Sequence, residues 1–330
     1  DLLAGGPPCQ PFSIGGKHRG PSDSRDMWPA TIRAVSMLAP KVFMFENVRG
    51  LLRKSFADYL RYVMLRLEWP RLAPREGETW LDQLRRLERQ GRAKIGGDAG
   101  LRYRVSLHRV NAADFGAAQK RHRVLIIGLR ADLDLQWSFP EPTHSREALV
   151  WSQWIQGDYW IRHGIGPKHR PKPSPQDLSL ARRLEKTAVQ PDTLPWPTVR
   201  DALKGLPKPY LSEGDGPIPN HRFQPGARPY VGHTGSPLDE PAKTLKAGDH
   251  GVPGGENMLV EEHGAVRYFT IREAARLQGF PDDYVFPVAW SESMRQLGNA
   301  VPVPLARAVA ESLAAALKRG DRRKRSNRAA

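Results

Sequence analysis

The stretch LLAGGPPCQPFS, residues 2–13, begins with apolar residues typical of a buried strand and continues as a loop of glycines and prolines. This loop carries Cys9, the single cysteine of the chain. The flanking prolines stiffen the turn, which would hold the thiol at the carboxyl edge of a sheet, where open α/β folds bind their ligands. Because the thiolate form of cysteine is nucleophilic, this frame favours a reactive role for Cys9 over that of a small buried hydrophobe.

The motif FENV, residues 45–48, follows the next apolar run along the chain. Adjacent strand ends lie side by side in a doubly wound sheet, so we expect Glu46 to lie near Cys9. An acid beside a nucleophile suits attack on an electron-poor ring, because a ring nitrogen must gain a proton or a hydrogen bond as electrons move in. Taken alone, Glu46 is better explained as a helix-capping or ion-pairing acid.

The basic motif QKRHR, residues 119–123, leads into an apolar run at residues 124–129. Arg121 and Arg123 point to the same side of an extended segment. Two guanidinium groups there could grip a carbonyl oxygen and a phosphate. A solvated basic face explains the motif equally well by itself.

Apolar runs alternate with segments of helical spacing over the first 130 residues. The predicted strands cover residues 2–5, 41–45, 102–110 and 124–129. Helices are predicted over residues 24–38, around 60–67, and near 81–87 within a charged insertion at 71–100. This alternation predicts a largely parallel sheet covered by helices on both faces.

The composition changes after about residue 140, where prolines become frequent and sustained periodicity is lost. Half of the 30 prolines lie between Pro167 and Pro241. Aromatic residues cluster at 151–160, where they could stack on bases but more often form a local core. Helical spacing returns at residues 271–278 and 305–317.

Charge and cysteine content limit the possible functions. The chain of 330 residues carries 51 Lys and Arg against 35 Asp and Glu, a formal charge of +16 that attracts polyanions such as nucleic acid. One cysteine excludes an internal disulfide and any multi-cysteine metal site, so we predict no metal. We find no apolar run of about 18 residues and no targeting pattern, which predicts a cytoplasmic protein that does not span a membrane.

Five motifs in order resemble those of the cytosine-C5 DNA methyltransferases. Residues 8–25 resemble the family's mobile catalytic loop, FENV its acid motif and residues 119–123 its paired-arginine motif. Residues 270–281 (TIREAARLQGFP) and 296–302 (QLGNAVP) are similar to its last two motifs. The resemblance implies a Rossmann-like class I methyltransferase sheet. It divides the chain into a catalytic α/β domain (1–142), a target-recognition region (143–268), a return to the catalytic domain (269–318) and a basic, disordered tail (319–330).

The resemblance also implies the chemistry and its residues. The Cys9 thiolate would attack C6 of a cytosine turned out of the duplex, and Glu46 would hold N3 and the exocyclic amine. Asn47 would support the loop, and Arg123, helped by Arg121, would contact the O2 carbonyl and fix Cys9. S-adenosylmethionine would donate the methyl group and contact Pro8, Asn299 and Ala300. The residues expected to contact double-stranded DNA are Gln10, Ser13, Lys17, Arg25 and Gln119.

The sequence departs from the family at its start. Family members begin with a Gly-rich turn and an acid that hold S-adenosylmethionine, and neither precedes the strand at residues 2–5. We therefore expect that about the first quarter of a full enzyme is missing and is supplied in cis or by a partner. We also expect that residues 1–330 alone neither bind the cofactor well nor transfer methyl groups. The alternatives are an RNA cytosine-C5 methyltransferase and an inactive DNA-binding module. A cognate restriction endonuclease is a candidate partner. We expect the protein to associate with the nucleoid of a prokaryote or phage host.

Overall fold

Four strands form the main sheet of the chain in this computed structural model: β1 (Leu2–Gly5), β2 (Val42–Val48), β3 (Tyr103–Asn111) and β4 (His122–Arg130). Their order in space is β1-β2-β4-β3. β1 and β2 are parallel, with Gly5 opposite Phe45. β2 and β4 are antiparallel, with Val48 opposite Arg123. The sheet is therefore mixed and not largely parallel as predicted.

The structure describes residues 1–8, 26–92, 100–211, 216–247 and 255–329. These residues form two compact units, which differ from the predicted division of the chain. The first unit comprises Asp1–Val110, His122–Phe139 and Val309–Ala330, and the second comprises Asn111–Arg121 and Pro140–Ala308.

Helices α1 (Trp28–Leu38), α2 (Ala57–Glu68) and α3 (Trp80–Arg92) belong to the first unit. α1 buries Trp28, Ile32 and Val35 and ends at Ala39, whose φ is 42°. Pro40 follows and cannot continue a helix. α3 lies in the predicted charged insertion and is joined to α2 by a 2.8 Å hydrogen bond from the hydroxyl of Tyr62 to Gln83.

The aromatic residues of β2 fix its place against β4. Phe43 and Phe45 are buried, with ring centroids 5.0 Å apart. Phe43 pairs with Gly128, where an added Cβ would lie 2.1 Å from the Phe43 ring. Only glycine at position 128 leaves room for the Phe43 ring. The ring can therefore pack over β4, which fixes the register of β2 against β4.

The second unit contains two small sheets and short helices. A parallel pair consists of β5 (His144–Ser145) and β6 (Leu194–Pro195), and a three-stranded sheet consists of β7 (Ser236–Pro237), β8 (Met258–Val260) and β9 (Val266–Tyr268). The helices are α4 (Arg146–Val150), α5 (Asp158–Arg162), α6 (Pro175–Thr187), α7 (Val199–Leu203), α8 (Ile271–Leu277) and α9 (Trp290–Asn299). Tyr159 and Trp160 are fully buried, so they form a local core and do not stack on bases.

The last helix, α10 (Val303–Ala329), continues through most of the segment predicted to be a disordered tail. The segment Trp290–Gly320, which includes parts of α9 and α10, reaches a mean hydropathy of 1.4 and is long and apolar enough to cross a membrane. This finding corrects the expectation that no such run exists. Leu297, Leu305 and Leu313 within it are buried in the protein. A helix in the core of a protein can also be this long and apolar. Length and composition alone are therefore weak support for a membrane span.

Candidate active site

The ends of β1 and β2 meet at one edge of the main sheet. The side-chain amide of Asn47 donates a 3.2 Å hydrogen bond to the carbonyl oxygen of Pro7, and its Oδ1 accepts from the backbone N–H of Val48 at 2.9 Å. Both Asn47 and Pro7 are buried. Asn47 therefore ties the end of β2 to the start of the loop that carries Cys9.

Glu46 and Arg123 form an ion pair at the same edge. The Nε atom of Arg123 lies 2.5 Å from Oε1 of Glu46, and the side chains are only 10% and 16% exposed. The register explains the contact, because Glu46 pairs with Leu125 and Arg123 is the diagonal neighbour two residues away on β4. The other carboxylate oxygen, Oε2, lies 3.5 Å from the position that a Cβ of Gly6 would occupy. A carboxylate held by an arginine thus faces the chain just before Cys9.

Arg123 makes its main described contacts within the protein. Besides the pair with Glu46, its Nη1 donates a 2.8 Å hydrogen bond to the carbonyl oxygen of His122. The predicted contact was with a substrate carbonyl, so this geometry gives Arg123 a further task, which is to orient the acid.

Arg121 belongs to the second unit and is fully buried. Its guanidinium donates to the carbonyl oxygens of Leu245 at 2.9 Å and Gly298 at 2.7 Å. Both acceptors are backbone groups far away in sequence, so the side chain joins three segments of the unit. This placement favours a positioning role for Arg121, and its predicted part in catalysis stays a prediction.

Gln119 is also fully buried, and its Oε1 accepts a 3.0 Å hydrogen bond from the backbone N–H of Leu245. The hydroxyl of Thr244 donates to the carbonyl oxygen of Lys120 at 2.7 Å. Gln119 therefore holds residues 244–245 in place from a buried position, and its contact with DNA stays a prediction.

Two further residues, Asn257 and Gly298, help to hold these segments together and were not predicted from the sequence. The side chain of Asn257 makes two 2.9 Å hydrogen bonds with the backbone of Lys246, and a Cβ on Gly298 would lie 2.3 Å from the backbone nitrogen of Ala247. The glycine within the motif QLGNAVP was a signal for this close approach, whereas Asn257 carries no local pattern that would single it out.

A family model for the C-5 cytosine-specific DNA methylases matches residues 1–68 and 97–315. The chain belongs to this family. The unmatched residues 69–96 overlap the predicted insertion at 71–100 and include all of α3. The methylase is similar to the Type II methyltransferase M.AplI of Arthrospira platensis, with 29% identity over 95% of this chain and 68% of the relative. It is also similar to M.NgoMIV of Neisseria gonorrhoeae, with 28% identity over 97% of this chain and 78% of the relative.

A solved structure supports the same fold. It is titled as a DNA modification methyltransferase encoded within a prophage of E. coli, and it matches the methylase with a TM-score of 0.52 at 21% identity. The match covers 96% of this chain and 79% of that one. The class I methyltransferase fold predicted from the sequence is confirmed, and the chain belongs to a family of enzymes.

The residues predicted to bind S-adenosylmethionine fit only part of it. Pro8 and Asn299 are exposed and Ala300 is half-buried, so all three are accessible to a ligand. Between them they offer one side-chain amide and no carboxylate for the ribose hydroxyls. Contact of these residues with the methionine end of the cofactor stays a prediction.

Cys9 and four of the predicted DNA contacts, Gln10, Ser13, Lys17 and Arg25, lie outside the described residues. Within the described part of the methylase, no group of three or more His, Cys, Asp or Glu is arranged to hold a metal ion.

We expect Arg121→Met to destabilise the methylase by about 3–5 kcal/mol, because two buried carbonyl groups would each lose a hydrogen bond to a charged donor. The measurement is urea denaturation of both proteins. Arg183→Met is the matched control, since that side chain is 69% exposed. Equal shifts in the two denaturation midpoints would contradict the positioning role.

Proposed function

We propose that this protein transfers a methyl group to C5 of cytosine in double-stranded DNA through a covalent bond to Cys9. Membership of the C-5 cytosine-specific DNA methylases supports the reaction class. The single observation that supports the site is the Glu46–Arg123 pair at 2.5 Å, located where Asn47 ties β2 to Pro7, two residues before Cys9.

Catalysis begins with a cytosine outside the base stack, since neither face of the ring is accessible inside a duplex. The Sγ thiolate of Cys9 adds to C6, and a bond forms there while electrons move toward N3 and C5. The carboxyl group of Glu46 gives a proton to N3 as these electrons arrive and accepts a hydrogen bond from the exocyclic amine. The proton returns from N3 to Glu46 when C5 uses the electrons to bond to the methyl group. Arg123 holds the carboxylate in place so that little reorganisation is needed during the step.

The addition makes C5 nucleophilic. S-adenosylmethionine, when bound, supplies an electrophilic methyl group. The C5 proton then leaves to a base, water being the simplest acceptor. The electrons of that C–H bond re-form the C5–C6 double bond, and the C6–S bond breaks to return the Cys9 thiolate.

The target-recognition region favours DNA over RNA, because reading duplex sequence requires a dedicated reader of the grooves. The second unit contains most of this region, with residues 143–211, 216–247 and 255–268 described. The chain has 51 basic and 35 acidic residues, and this net positive charge suits the binding of either DNA or RNA.

Nucleoside analysis tests the function. The protein, joined to a cofactor-binding segment of this family in cis or mixed with it as a separate polypeptide, is incubated with isotope-labelled S-adenosylmethionine. Separate reactions contain mixed-sequence duplex DNA, single-stranded DNA and transfer RNA. The nucleic acid is then digested and analysed by mass spectrometry. We expect labelled 5-methyldeoxycytidine from the duplex. Label only in 5-methylcytidine would establish the RNA alternative, and label in no nucleoside would favour the inactive binding module.

A further inference from the structure

A cavity of about 520 Å³ lies in the first unit between α1, α2 and residues 70–74. α1 contributes Ile32 and Arg33 to its lining, and α2 contributes Tyr62 and Arg66. The wall at residues 70–74 falls in the segment that the family model does not match. One wall of the cavity is therefore built from sequence outside the family's shared pattern.

Positive charge dominates the lining of this cavity. Arg33, Arg66 and Arg71 all line it, and no acid among the described residues forms an ion pair with any of the three. Asp26 also lines the cavity, where its carboxylate accepts hydrogen bonds from two groups of the protein. Three guanidinium groups against one carboxylate leave the lining positively charged, which favours an anionic ligand.

Arg66 is the most buried of these arginines, with 7% of its surface exposed. Its Nη1 donates to the carbonyl oxygen of Leu72, and its Nε has no hydrogen-bond partner in the described part of the chain. Burial lowers the pKa of this guanidinium, because the charged form is poorly solvated there. A buried cation without a carboxylate partner is unfavourable by itself, and an anion in the adjacent cavity would stabilise it.

The wall at residues 70–74 is held in place by hydrogen bonds to its backbone. The side chain of Gln83 donates to the carbonyl oxygen of Leu72 at 2.8 Å. Arg86 donates to the carbonyl oxygen of Ala73 at 3.0 Å. Both donors belong to α3, so this helix fixes the wall in advance. A pre-formed wall reduces the entropy that is lost when a ligand binds.

The charge and size of the cavity indicate the chemistry of the ligand. Guanidinium groups bind phosphate through pairs of parallel hydrogen bonds, and several of them suit a doubly charged group. The volume of about 520 Å³ lies in the range of small-molecule sites and exceeds what a phosphate group alone would fill. Pro29, Ile32 and Pro74 supply apolar surface for the rest of the molecule.

A phosphate within a DNA strand fits this cavity less well than a terminal phosphate. It is bonded to sugars on both sides, which keeps it at the surface of the duplex. Arg66, at 7% exposure, lies too deep for such a group. A terminal phosphate can enter the cavity and leave the remainder of its molecule against the apolar wall.

We propose that this cavity binds the terminal phosphate group of a small organic molecule through Arg33, Arg66 and Arg71. Neither Glu46 nor Arg123 lines the cavity. Binding there is therefore a property beyond the proposed methyl transfer and does not depend on it.

Calorimetric titration with inorganic phosphate and with phenyl phosphate tests the inference. The protein is prepared as for the nucleoside analysis, without S-adenosylmethionine or nucleic acid. We expect both probes to bind, with phenyl phosphate the tighter because its ring covers the apolar wall. Arg66→Met should weaken the binding of both probes by roughly tenfold or more, the effect of removing hydrogen bonds from a charged donor.

Arg33→Gln gives a second reading that does not depend on a buried side chain. Arg33 is exposed on α1, so this variant should keep the wild-type unfolding midpoint while binding phenyl phosphate roughly three- to tenfold more weakly. Arg61→Gln is the matched control, because Arg61 is 59% exposed on α2 and does not line the cavity. It should bind both probes as the wild-type protein does.

Failure of both phosphates to bind, or equal affinities in Arg33→Gln and Arg61→Gln, would overturn the inference. Equal affinity of the wild-type protein for the two probes would exclude an organic ligand. Release of bound phenyl phosphate by an equimolar short duplex would assign the cavity to the DNA backbone and likewise overturn the small-molecule ligand. Each of these results leaves the proposed function standing, since nucleoside analysis tests that function separately.

Discussion

Replacing Cys9 with serine is expected to abolish both methyl transfer and covalent capture of DNA. The test substrate is a duplex that carries 5-fluorocytosine at the methylated position. Fluorine takes the place of the proton that must leave C5, so elimination fails and the wild-type protein stays bonded to C6. A denaturing gel then shows a protein–DNA complex of reduced mobility.

Serine removes this chemistry with little change in shape. Its hydroxyl has a far higher pKa than a thiol, so almost none of it is ionised and nucleophilic at neutral pH. Non-covalent binding of the unmodified duplex, measured by gel shift under native conditions, should remain close to wild type and serves as the control for folding. Full capture of the fluorinated duplex by Cys9→Ser would show that another residue is the nucleophile.

Glu46→Gln is expected to lower the methyl-transfer rate by roughly two to four orders of magnitude, the range for a positioned acid–base group. The amide is similar in shape to the carboxylate, but it is neutral and cannot form the ion pair with Arg123. It also cannot give a proton to N3 as the electrons move into the ring. DNA affinity should change little, because the substituted group is small and 16% exposed. Single-turnover kinetics with saturating DNA separates the rate from the affinity.

Glu68→Gln is the matched control for this experiment. Glu68 lies in the same unit and also binds an arginine, Arg102, at 2.9 Å, but this pair joins the end of α2 to the start of β3 and does not involve the ends of β1 and β2. Loss of an ion pair alone should leave the rate of that variant near wild type. Equal methyl-transfer rates for Glu46→Gln and the wild-type protein would show that Glu46 has a structural role and not a catalytic one.

Local sequence patterns predicted most elements of the first unit. Apolar runs located β1 to β4 and periodic spacing located α1, α2 and α3, with ends that differ by a few residues from the observed ones. The motif around Cys9 and the acid motif also indicated that the ends of β1 and β2 lie together, because parallel neighbours end at the same edge of a sheet. The Glu46–Arg123 pair follows from a register that no local pattern specifies.

The sequence by itself determined the fold class, the family and the segments that carry chemistry, because short-range periodicity and contiguous motifs are encoded locally. Only the tertiary structure decided which members of the basic motif are buried. Gln119 and Arg121 resemble surface residues in sequence, but their partners, Leu245 and Gly298, lie more than a hundred residues further along the chain. A buried guanidinium is tolerated only where backbone carbonyls converge to satisfy it, and that convergence is a property of the folded chain.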